Sequence, residues 1–309
     1  MLFTMPDFTL LDLPAPVAVV CHDAGAANII LAWMRAHAAT YPQAARDWRL
    51  LLQGPAAKLW SERSVPLVHT CQNINEVLDG TDVLLSGTGW ASNLEHESRR
   101  QATMRGIKTI AVIDHWVNYK ERFIRQGEIV FPNEIIVTDD HAFCIAERCF
   151  PDLAIQIKPN LYLSEVVNQI KLLSCREGEV LYVLEPIHAN WCKQSAGEFQ
   201  ALNYFVDNMD RLGIKRSTLI RLRPHPSDAP GKYDQWLAIN RELNAVLDDS
   251  PSLGVAIAKS EWVVGCETYA MIIAVLAKKK VVSTLPPWGH RCHLPHSAIV
   301  HLKDVCGAC

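Results

Sequence analysis

The chain has 309 residues, of which 49% are hydrophobic and 20% are charged, as is typical of a folded globular protein. Its formal net charge of -3 gives no general attraction for nucleic acid or anionic lipid, so nucleic acid is not an expected partner. The length fits one large domain or two ordinary ones, and we favour two.

The cysteine pattern and the hydropathy indicate a cellular location. Ten cysteines are scattered along the chain, several of them in apolar runs such as VVCHDAG and VVGCETY, which is typical of reduced thiols. The first residues lack the features of a secretory signal, and no apolar run approaches the roughly 18 residues that span a bilayer. We expect a cytoplasmic protein, and the sequence is compatible with peripheral membrane association and with a homodimer.

Short apolar strands alternate with helical segments from Val17 onwards. The run Val17–Val20 leads through a polar loop into helix-forming residues 29–39. Four more strand-like runs follow, namely WRLLLQG, TDVLLSGTG, KTIAVIDHW and EIIVTDD, and helical segments follow all of these except KTIAVIDHW. Apolar strands separated by helices predict a parallel sheet that is covered on both faces.

A helical segment over residues 158–178 marks the crossing into a second domain. Beyond it, the predicted strands are EVLYVLEP, STLIRLRPHP, SEWVVGCE and KVVSTLPP, and the predicted helices are EFQALNYFVDNMDRLG, YDQWLAINRELNAVLDD and TYAMIIAVLAKKK. The sequence therefore predicts an α/β protein with an N-terminal domain (1–160), a linker (161–178) and a C-terminal domain (179–309), both domains Rossmann-like.

Two successive parallel α/β units of similar size resemble the glycosyltransferase B architecture, in which two Rossmann-like halves face a central cleft. Ligands in such sheets lie beyond the carboxyl ends of the strands, so the loops at those ends are expected to line the cleft. The resemblance implies that the N-terminal domain binds the acceptor and that the C-terminal domain binds a nucleotide-sugar donor.

The segment IRLRPHPSD ends an apolar strand with two arginines and holds His225 between two prolines. Arg221 and Arg223 are two residues apart on a strand, so both can point to one face, and the prolines restrict the backbone. Such groups can hold a phosphate by charge-assisted hydrogen bonds, although a solvated strand end is the alternative. The segment resembles the His-Pro motif of bacterial sialyltransferases and capsule-polymer transferases, which implies that His225 contacts the nucleotide phosphate.

The turn GCET precedes an apolar helix and is a second candidate for binding the nucleotide. Backbone N–H groups and the Thr268 hydroxyl would suit phosphate, and Glu267 would suit the ribose hydroxyls; an ordinary helix cap is the alternative. Nucleotide-sugar 2-epimerases carry Ser-Gly-Gly at this turn, and this chain does not. In the loop EPIHANW, the resemblance implies that Glu185 and His188 contact the donor.

Three loops of the N-terminal half carry the other candidates. In CHDAGAAN, His22 and Asp23 are candidates for acid/base chemistry and for shaping the sugar site, and Gly25 permits a close approach; an Asp-capped helix is the alternative. In SGTG, small residues admit a substrate next to Thr88, whereas the charges of the following helix indicate a solvated face.

The third of these loops, IDHWVNYKERF, ends a strongly apolar strand with polar and aromatic residues. Aromatic faces pack on the C–H surfaces of sugars, so Trp116 and Tyr119 are predicted to bind substrate, with a helix cap and an exposed aromatic as the alternative. Proton removal needs a carboxylate or a histidine, and our order of preference for the catalytic base is Asp114, then Asp23, then His115.

The C-terminal tail is rich in histidine and cysteine. Cys306 and Cys309 have the C-x-x-C spacing of a zinc pair, and four residues could complete a site, namely His290, Cys292, His293 and His296. Because a single pair without a second matched pair is weak support, we predict no metal ligand and interpret the tail as surface or as a loop over the cleft. The segment PPWGHR is a better candidate for lining the donor pocket.

These features predict an inverting glycosyltransferase that uses a nucleotide-activated sugar, such as a CMP-linked acidic sugar, to build surface polysaccharide or glycoconjugates. Fixed positive groups and helix N–H donors stabilise a departing phosphate, so no metal cofactor is expected. One alternative is a nucleotide-sugar 2-epimerase or hydrolase of the same fold. The other is a non-catalytic nucleotide-sugar-binding protein.

Overall fold

The structure is a computed structural model that describes residues 13, 16–62, 65, 67–173, 178–187, 191 and 195–307. The chain divides into two compact units, Met1–Tyr162 and Leu163–Cys309. Among the described residues, no helix combines the length and the apolar character that crossing a bilayer requires. Each unit is built around a parallel sheet, which confirms the predicted α/β class.

Unit 1 contains a seven-stranded sheet in the order β3-β2-β1-β4-β5-β8-β9, in which every pairing is parallel. Its strands are β1 (Val17–Cys21), β2 (Trp48–Leu52), β3 (His69–Thr70), β4 (Val83–Ser86), β5 (Lys108–Val112), β8 (Glu134–Val137) and β9 (Ala154–Ile157). A separate antiparallel hairpin joins β6 (Ile124–Arg125) to β7 (Glu128–Ile129). The central strands β1 and β4 are buried along their whole length, as their continuous apolar letters predict.

The helices of unit 1 lie in the connections between these strands, as parallel pairing requires. They are α1 (Ala24–Thr40), α2 (Gly54–Glu62), α3 (Ile74–Leu78), α4 (Leu94–Met104) and α5 (Asp140–Cys149). Helix α1 contributes the fully buried Trp33, whose indole N–H donates to the Pro159 carbonyl at 2.7 Å. The helices pack on the sheet and enclose hydrophobic cores, and this packing holds the ends of the strands in place.

Unit 2 contains a six-stranded sheet in the order β12-β11-β10-β13-β14-β15, again parallel throughout. Its strands are β10 (Val180–Val183), β11 (Ile220–Arg223), β12 (Ala245–Leu247), β13 (Trp262–Gly265), β14 (Lys280–Ser283) and β15 (Ile299–His301). Helix α6 (Leu161–Lys171) begins at the division between the units, and α7 (Gly197–Asn208), α8 (Asp234–Ile239), α9 (Leu253–Lys259), α10 (Tyr269–Leu276) and α11 (Leu302–Cys306) follow.

Two predicted features of unit 2 are wrong. The helix predicted over residues 233–249 ends at Ile239, and residues 245–247 instead form β12, because they pair with β11 at the edge of the sheet. The C-terminal segment is not a surface tail, since β15 extends the sheet beside β14 and Leu302 is completely buried. Both differences arise from strand pairing, which local sequence does not reveal.

Candidate functional site

The candidate loops of unit 1 lie at one edge of its sheet. Asp23 follows β1, Gly89 follows β4 and Asp114 follows β5, and these three strands are neighbours. Because the carboxyl ends of parallel strands lie at the same edge, the predicted residues come together although they are far apart in sequence. They line a pocket of about 250 Å³, whose walls are Asp23, Ala26, Gly89, Trp90, Asp114, His115, Val117 and Arg122.

Arg122 holds the Asp114 carboxylate in this pocket. Its Nη1 atom lies 2.9 Å from Asp114 Oδ1 and 3.0 Å from the hydroxyl oxygen of Thr88. Its Nε atom donates to the Val117 carbonyl at 3.2 Å, and only 5% of the residue is exposed. Asp114 therefore stands in a fixed direction as the partner of a buried cation.

Gly25 makes room for the same carboxylate. A Cβ atom on Gly25 would lie 1.6 Å from Asp114 Oδ2, so no other residue fits without displacing one of the two. Gly25 is in the first turn of α1, where exposed backbone N–H groups and the helix dipole favour an anion. The predicted close approach at Gly25 is thus made by a side chain of the protein itself.

His22 and Asp23 form the second polar pair of the pocket edge. His22 Nδ1 lies 2.7 Å from Asp23 Oδ1, and the backbone N–H of Trp90 donates to Asp23 Oδ2 at 2.9 Å. A Cβ on Gly89 would lie 2.0 Å from Asp23 Oδ2, so this glycine is also required by packing. The alternative role of Asp23 as a side-chain cap is not seen, because its carboxylate makes no capping hydrogen bond to α1.

Three predicted substrate-binding residues do not reach the pocket. Trp116 is 8% exposed and its indole N–H donates to Asp139, while Tyr119 is 3% exposed and its hydroxyl donates to the Ala142 carbonyl. Thr88 is completely buried and donates to the Val112 carbonyl. Each side chain packs inward and positions neighbouring loops, so its contact with substrate stays a prediction.

Sequence reasoning missed two residues of the pocket. Trp90 is 48% exposed, and the Arg122 guanidinium carbon lies 5.8 Å from the centre of its ring. Arg122 itself was noted only as part of a charged stretch. The signal that could have found it is the pairing of a buried strand-end carboxylate with the nearest following arginine, eight residues along the chain.

In unit 2, the two arginines of β11 find their partner within the chain. Arg221 and Arg223 point to one face, as predicted, and contact Asp248 Oδ1 at 2.8 Å and Oδ2 at 2.5 Å. Arg221 also lies 3.2 Å from Glu179. The two arginines are thus neutralised by a carboxylate of the chain itself, Asp248. Phosphate binding by Arg223 stays a prediction.

His225 lies on an exposed turn that is held in place by hydrogen bonds to neighbouring side chains. Its backbone N–H donates to Asp228 Oδ2 at 2.9 Å, and its Nδ1 atom lies 2.7 Å from the Ser227 hydroxyl. Asp228 is fixed in turn by Lys232 at 2.6 Å and by the hydroxyl of Tyr233 at 3.1 Å. The turn is therefore an ordered platform for the imidazole, and its contact with a phosphate stays a prediction.

The turn before α10 is built around two acidic residues. The backbone N–H of Glu267 donates to Glu185 Oε1 at 2.8 Å. Burial raises the pKa of Glu185 to about 7, and the charge of Glu267 adds to this effect, against the opposing hydrogen bond. Thr268 is the N-cap of α10 and its hydroxyl accepts from Ala270 N, so Glu267 lies before the helix and not in its first turn.

The Glu267 carboxylate also anchors the loop after β14. Oε1 lies 2.6 Å from His290 Nε2, and Oε2 accepts from the backbone N–H of His293 at 3.0 Å. Cys306 Sγ lies 3.3 Å from Asn208 Oδ1. Two predicted candidates, His188 and the second cysteine of the C-x-x-C pair, Cys309, lie outside the described residues. His290, from the predicted donor-lining segment PPWGHR, therefore lies beside the candidate nucleotide turn.

Comparison with known proteins identifies the fold. No protein-family model matches the chain, and no curated protein matches its sequence. The structure of UDP-GlcNAc 2-epimerase from Methanocaldococcus jannaschii matches with a TM-score of 0.60 and 11% identity, over 94% of this chain and 92% of that one. The Neisseria meningitidis UDP-GlcNAc 2-epimerase, solved with UDP-GlcNAc bound, gives 0.60 and 9%, over 94% and 89%.

A polymerising transferase also matches. The wall teichoic acid polymerase TagF gives a TM-score of 0.51 at 11% identity, over 93% of this chain and 77% of that chain. Such low identities carry the fold and not the reaction. The chain therefore has the fold of these enzymes, two Rossmann-like α/β domains of the glycosyltransferase B type.

Proposed function

We propose that the chain is an enzyme acting on a nucleotide-activated sugar, and that its reaction is 2-epimerisation or the related hydrolysis. The observation that carries the proposal is the pocket of unit 1, where Asp23 and Asp114 lie at one sheet edge with different partners, an imidazole and a guanidinium. The similarity in fold to two UDP-GlcNAc 2-epimerases makes this reaction the first to test, ahead of the glycosyl transfer predicted from the sequence.

The chemistry of epimerisation explains why two such groups matter. The C2–H bond of a sugar is not acidic, so its removal must accompany departure of the nucleotide from C1. A base takes the proton while the C1–O bond to the nucleotide breaks, which leaves a C1–C2 double bond. Inversion then requires that a proton return to the opposite face of C2 while the nucleotide adds back to C1, or water adds there in the hydrolysis. Glycosyl transfer needs a single base, whereas this pocket is lined by two carboxylates and by His115, and His22 contacts one of those carboxylates.

Asp114 is our first candidate for the base, followed by Asp23 and His115. Arg122 and the first turn of α1 keep Asp114 oriented, and His22 beside Asp23 can carry a proton at Nδ1. Asp114 and His115 both face the pocket, so either group can meet a sugar that enters it.

The charge of the pocket supports a neutral sugar. Asp23 and Asp114 each carry a negative charge, and the one cation among the described lining residues, Arg122, is already paired with Asp114. A sugar carboxylate would meet uncompensated negative charge, whereas hydroxyl groups can donate to both acids. The CMP-linked acidic sugar predicted from the sequence is therefore less well supported than an uncharged N-acetylhexosamine.

Unit 2 supplies the groups that we assign to the nucleotide. His225 and the N-terminus of α10 at Thr268 offer donors suited to a phosphate, and Glu267 and Glu185 offer acceptors for ribose hydroxyls. Arg223 can contribute a phosphate contact only if its pairing with Asp248 is shared. We expect the substrate to be a sugar linked to uridine diphosphate, by analogy with the epimerases of this fold.

Solvent deuterium exchange tests the proposal. The full chain is incubated with UDP-GlcNAc in D2O and followed by proton NMR. An epimerase replaces the C2 proton with deuterium and forms the C2 epimer, and Asp114→Asn should lower this rate by about 100-fold or more, the range of a general base. Asp152→Asn, at an exposed aspartate outside the pocket, is the matched control.

Other outcomes identify the other functions. Glycosyl transfer, as predicted from the sequence, stays the second candidate. If nucleotide is released only when an acceptor is added, and the C2 proton does not exchange, the reaction is glycosyl transfer and not epimerisation. Binding of UDP-GlcNAc by calorimetry without any turnover of several nucleotide sugars would instead identify a non-catalytic binding protein.

A further inference from the structure

Three side chains of the types that bind metal ions come together in unit 2. Glu267 comes from the turn before α10, and His290 and His293 come from the loop after β14. The two carboxylate oxygens lie 2.6 Å from His290 Nε2 and 3.0 Å from His293 Nδ1. One ligand atom from each of the three residues lies within 4.8 Å of the others.

We propose that Glu267, His290 and His293 form a binding site for a divalent transition-metal ion, with Zn²⁺ as the best-suited ion. Two imidazoles and one carboxylate are a ligand set that zinc accepts, and three protein ligands leave a fourth position open. The reaction proposed above is expected to need no metal, but Glu267 is also the proposed acceptor for ribose hydroxyls, so the ion and the nucleotide would compete for its carboxylate.

The spacing of the donor atoms is compatible with such an ion. Zinc binds nitrogen and oxygen at about 2.0–2.2 Å, and tetrahedral geometry then separates the ligand atoms by about 3.3 Å. The two nitrogen–oxygen distances, 2.6 and 3.0 Å, would lengthen by about 0.7 and about 0.3 Å to reach that separation. Each neutral ring would direct its lone pair to the ion and carry its proton on the other nitrogen.

The carboxylate is already oriented by groups that do not bind the ion. The backbone N–H of His293 donates to Glu267 Oε2 at 3.0 Å, and the backbone N–H of Glu267 donates to Glu185 at 2.8 Å. Hydrogen bonds of this kind hold metal ligands in place and tune their basicity. The site is thus partly organised by the fold.

The site is open to an ion from solvent. The side chains of His290, Glu267 and His293 are 37%, 24% and 54% exposed. His293 also lines a pocket of about 760 Å³, together with His296 and His301. An ion and a water molecule in the fourth position can therefore reach the ligands without opening the core.

A second group of metal-binding side chains serves as the internal comparison. His69, Cys71 and Glu76 also lie together in unit 1. His69 and Glu76 are 3.5 Å apart, and Cys71 is buried in a hydrophobic cluster with Val77 and Leu84, so an ion would have to enter apolar surroundings to reach its sulfur. We expect this group to bind the ion more weakly than the Glu267 site.

Metal titration of the full chain tests the proposal. The chain is first treated with a chelator, and Zn²⁺ binding is then measured by calorimetry and Co²⁺ binding by visible absorption. Replacement of a ligand, in Glu267→Gln, His290→Ala or His293→Ala, should weaken Zn²⁺ binding by more than about 100-fold, because loss of an outer-shell partner alone costs about 10–100-fold. His69→Ala should retain the tight site and the cobalt absorption.

The outcomes that overturn the proposal are equally specific. Zn²⁺ affinity that is unchanged in all three variants, or that is lost only in His69→Ala, would rule out the Glu267 site. Circular dichroism of each variant establishes that it is folded. Should one ligand variant fail to fold, the other two still decide, since each removes a ligand from a different position.

Discussion

The Asp114 carboxylate occupies the space into which any side chain on Gly25 would project. An added Cβ would lie 1.6 Å from Asp114 Oδ2, far inside contact distance. Gly25 therefore serves the candidate base directly, because it lets the start of α1 pass against the end of β5 without pushing the carboxylate away from Arg122.

Gly25→Ala should displace Asp114 and abolish most turnover. Alanine suits a helix, so the lost activity would come from the moved carboxylate and not from a poorer helix. The measurement is the C2 exchange rate with UDP-GlcNAc beside the urea midpoint. Gly254→Ala is the control, because its added Cβ meets Ile170 at an ordinary 3.8 Å. Full activity in Gly25→Ala would show that the position of Asp114 is unimportant.

Arg122→Ala should destabilise unit 1. The substitution leaves Asp114 without its cation and Thr88 without its donor, and breaking a buried pair costs about 3–5 kcal/mol. Because the Asp114 side chain is 25% exposed, we expect the lower end of this range in the free energy of unfolding measured with urea. A double-mutant cycle with Asp114→Asn should show coupling, and additive effects would contradict the pairing.

Asp248→Asn should destabilise unit 2, because its fully buried carboxylate neutralises both arginines of β11. We expect a loss of about 3–5 kcal/mol in urea denaturation, reduced by the contact that Arg221 keeps with Glu179. Asp249→Asn, at the exposed neighbouring position, is the control. Equal stability of both variants would mean that the arginines find their partner elsewhere.

His96 should make the fold less stable at acid pH. Burial lowers the pKa of His96 below its ordinary value, and the nearby charges of Arg99 and Arg125 lower it further. The unfolded chain then binds a proton more readily than the folded one, so this histidine's contribution is lost as the pH falls below about 6.5. The loss per pH unit is at most about 1.4 kcal/mol.

Urea denaturation of the wild type and of His96→Gln, at a series of pH values from 7.5 to 5.5, measures this contribution. The wild-type free energy of unfolding should fall more steeply with acidification than that of the variant. His69→Gln, at an exposed histidine, should keep the wild-type slope. Parallel curves for the wild type and His96→Gln would contradict the prediction.

The sequence determined the architecture and the region of the site. Continuous apolar strands such as Val17–Cys21 can be stable only when both sheet faces are covered, so the letters imply parallel sheets with helices between the strands. Parallel strands direct their carboxyl ends to one edge of the sheet. The sequence therefore implies that the loops carrying Asp23 and Asp114 lie at the same edge.

Only the tertiary structure decided which side chains face the pocket. Trp116, Tyr119 and Thr88 have side chains suited to contacts with sugars, but whether a loop side chain points inward depends on the groups that pack against it. Here the three side chains donate hydrogen bonds to Asp139, Ala142 and Val112, respectively. Likewise Arg221 and Arg223 find Asp248, and Glu267 finds His290 and His293. Such pairings join residues from distant parts of the chain, and their distances are set by packing that no local pattern encodes.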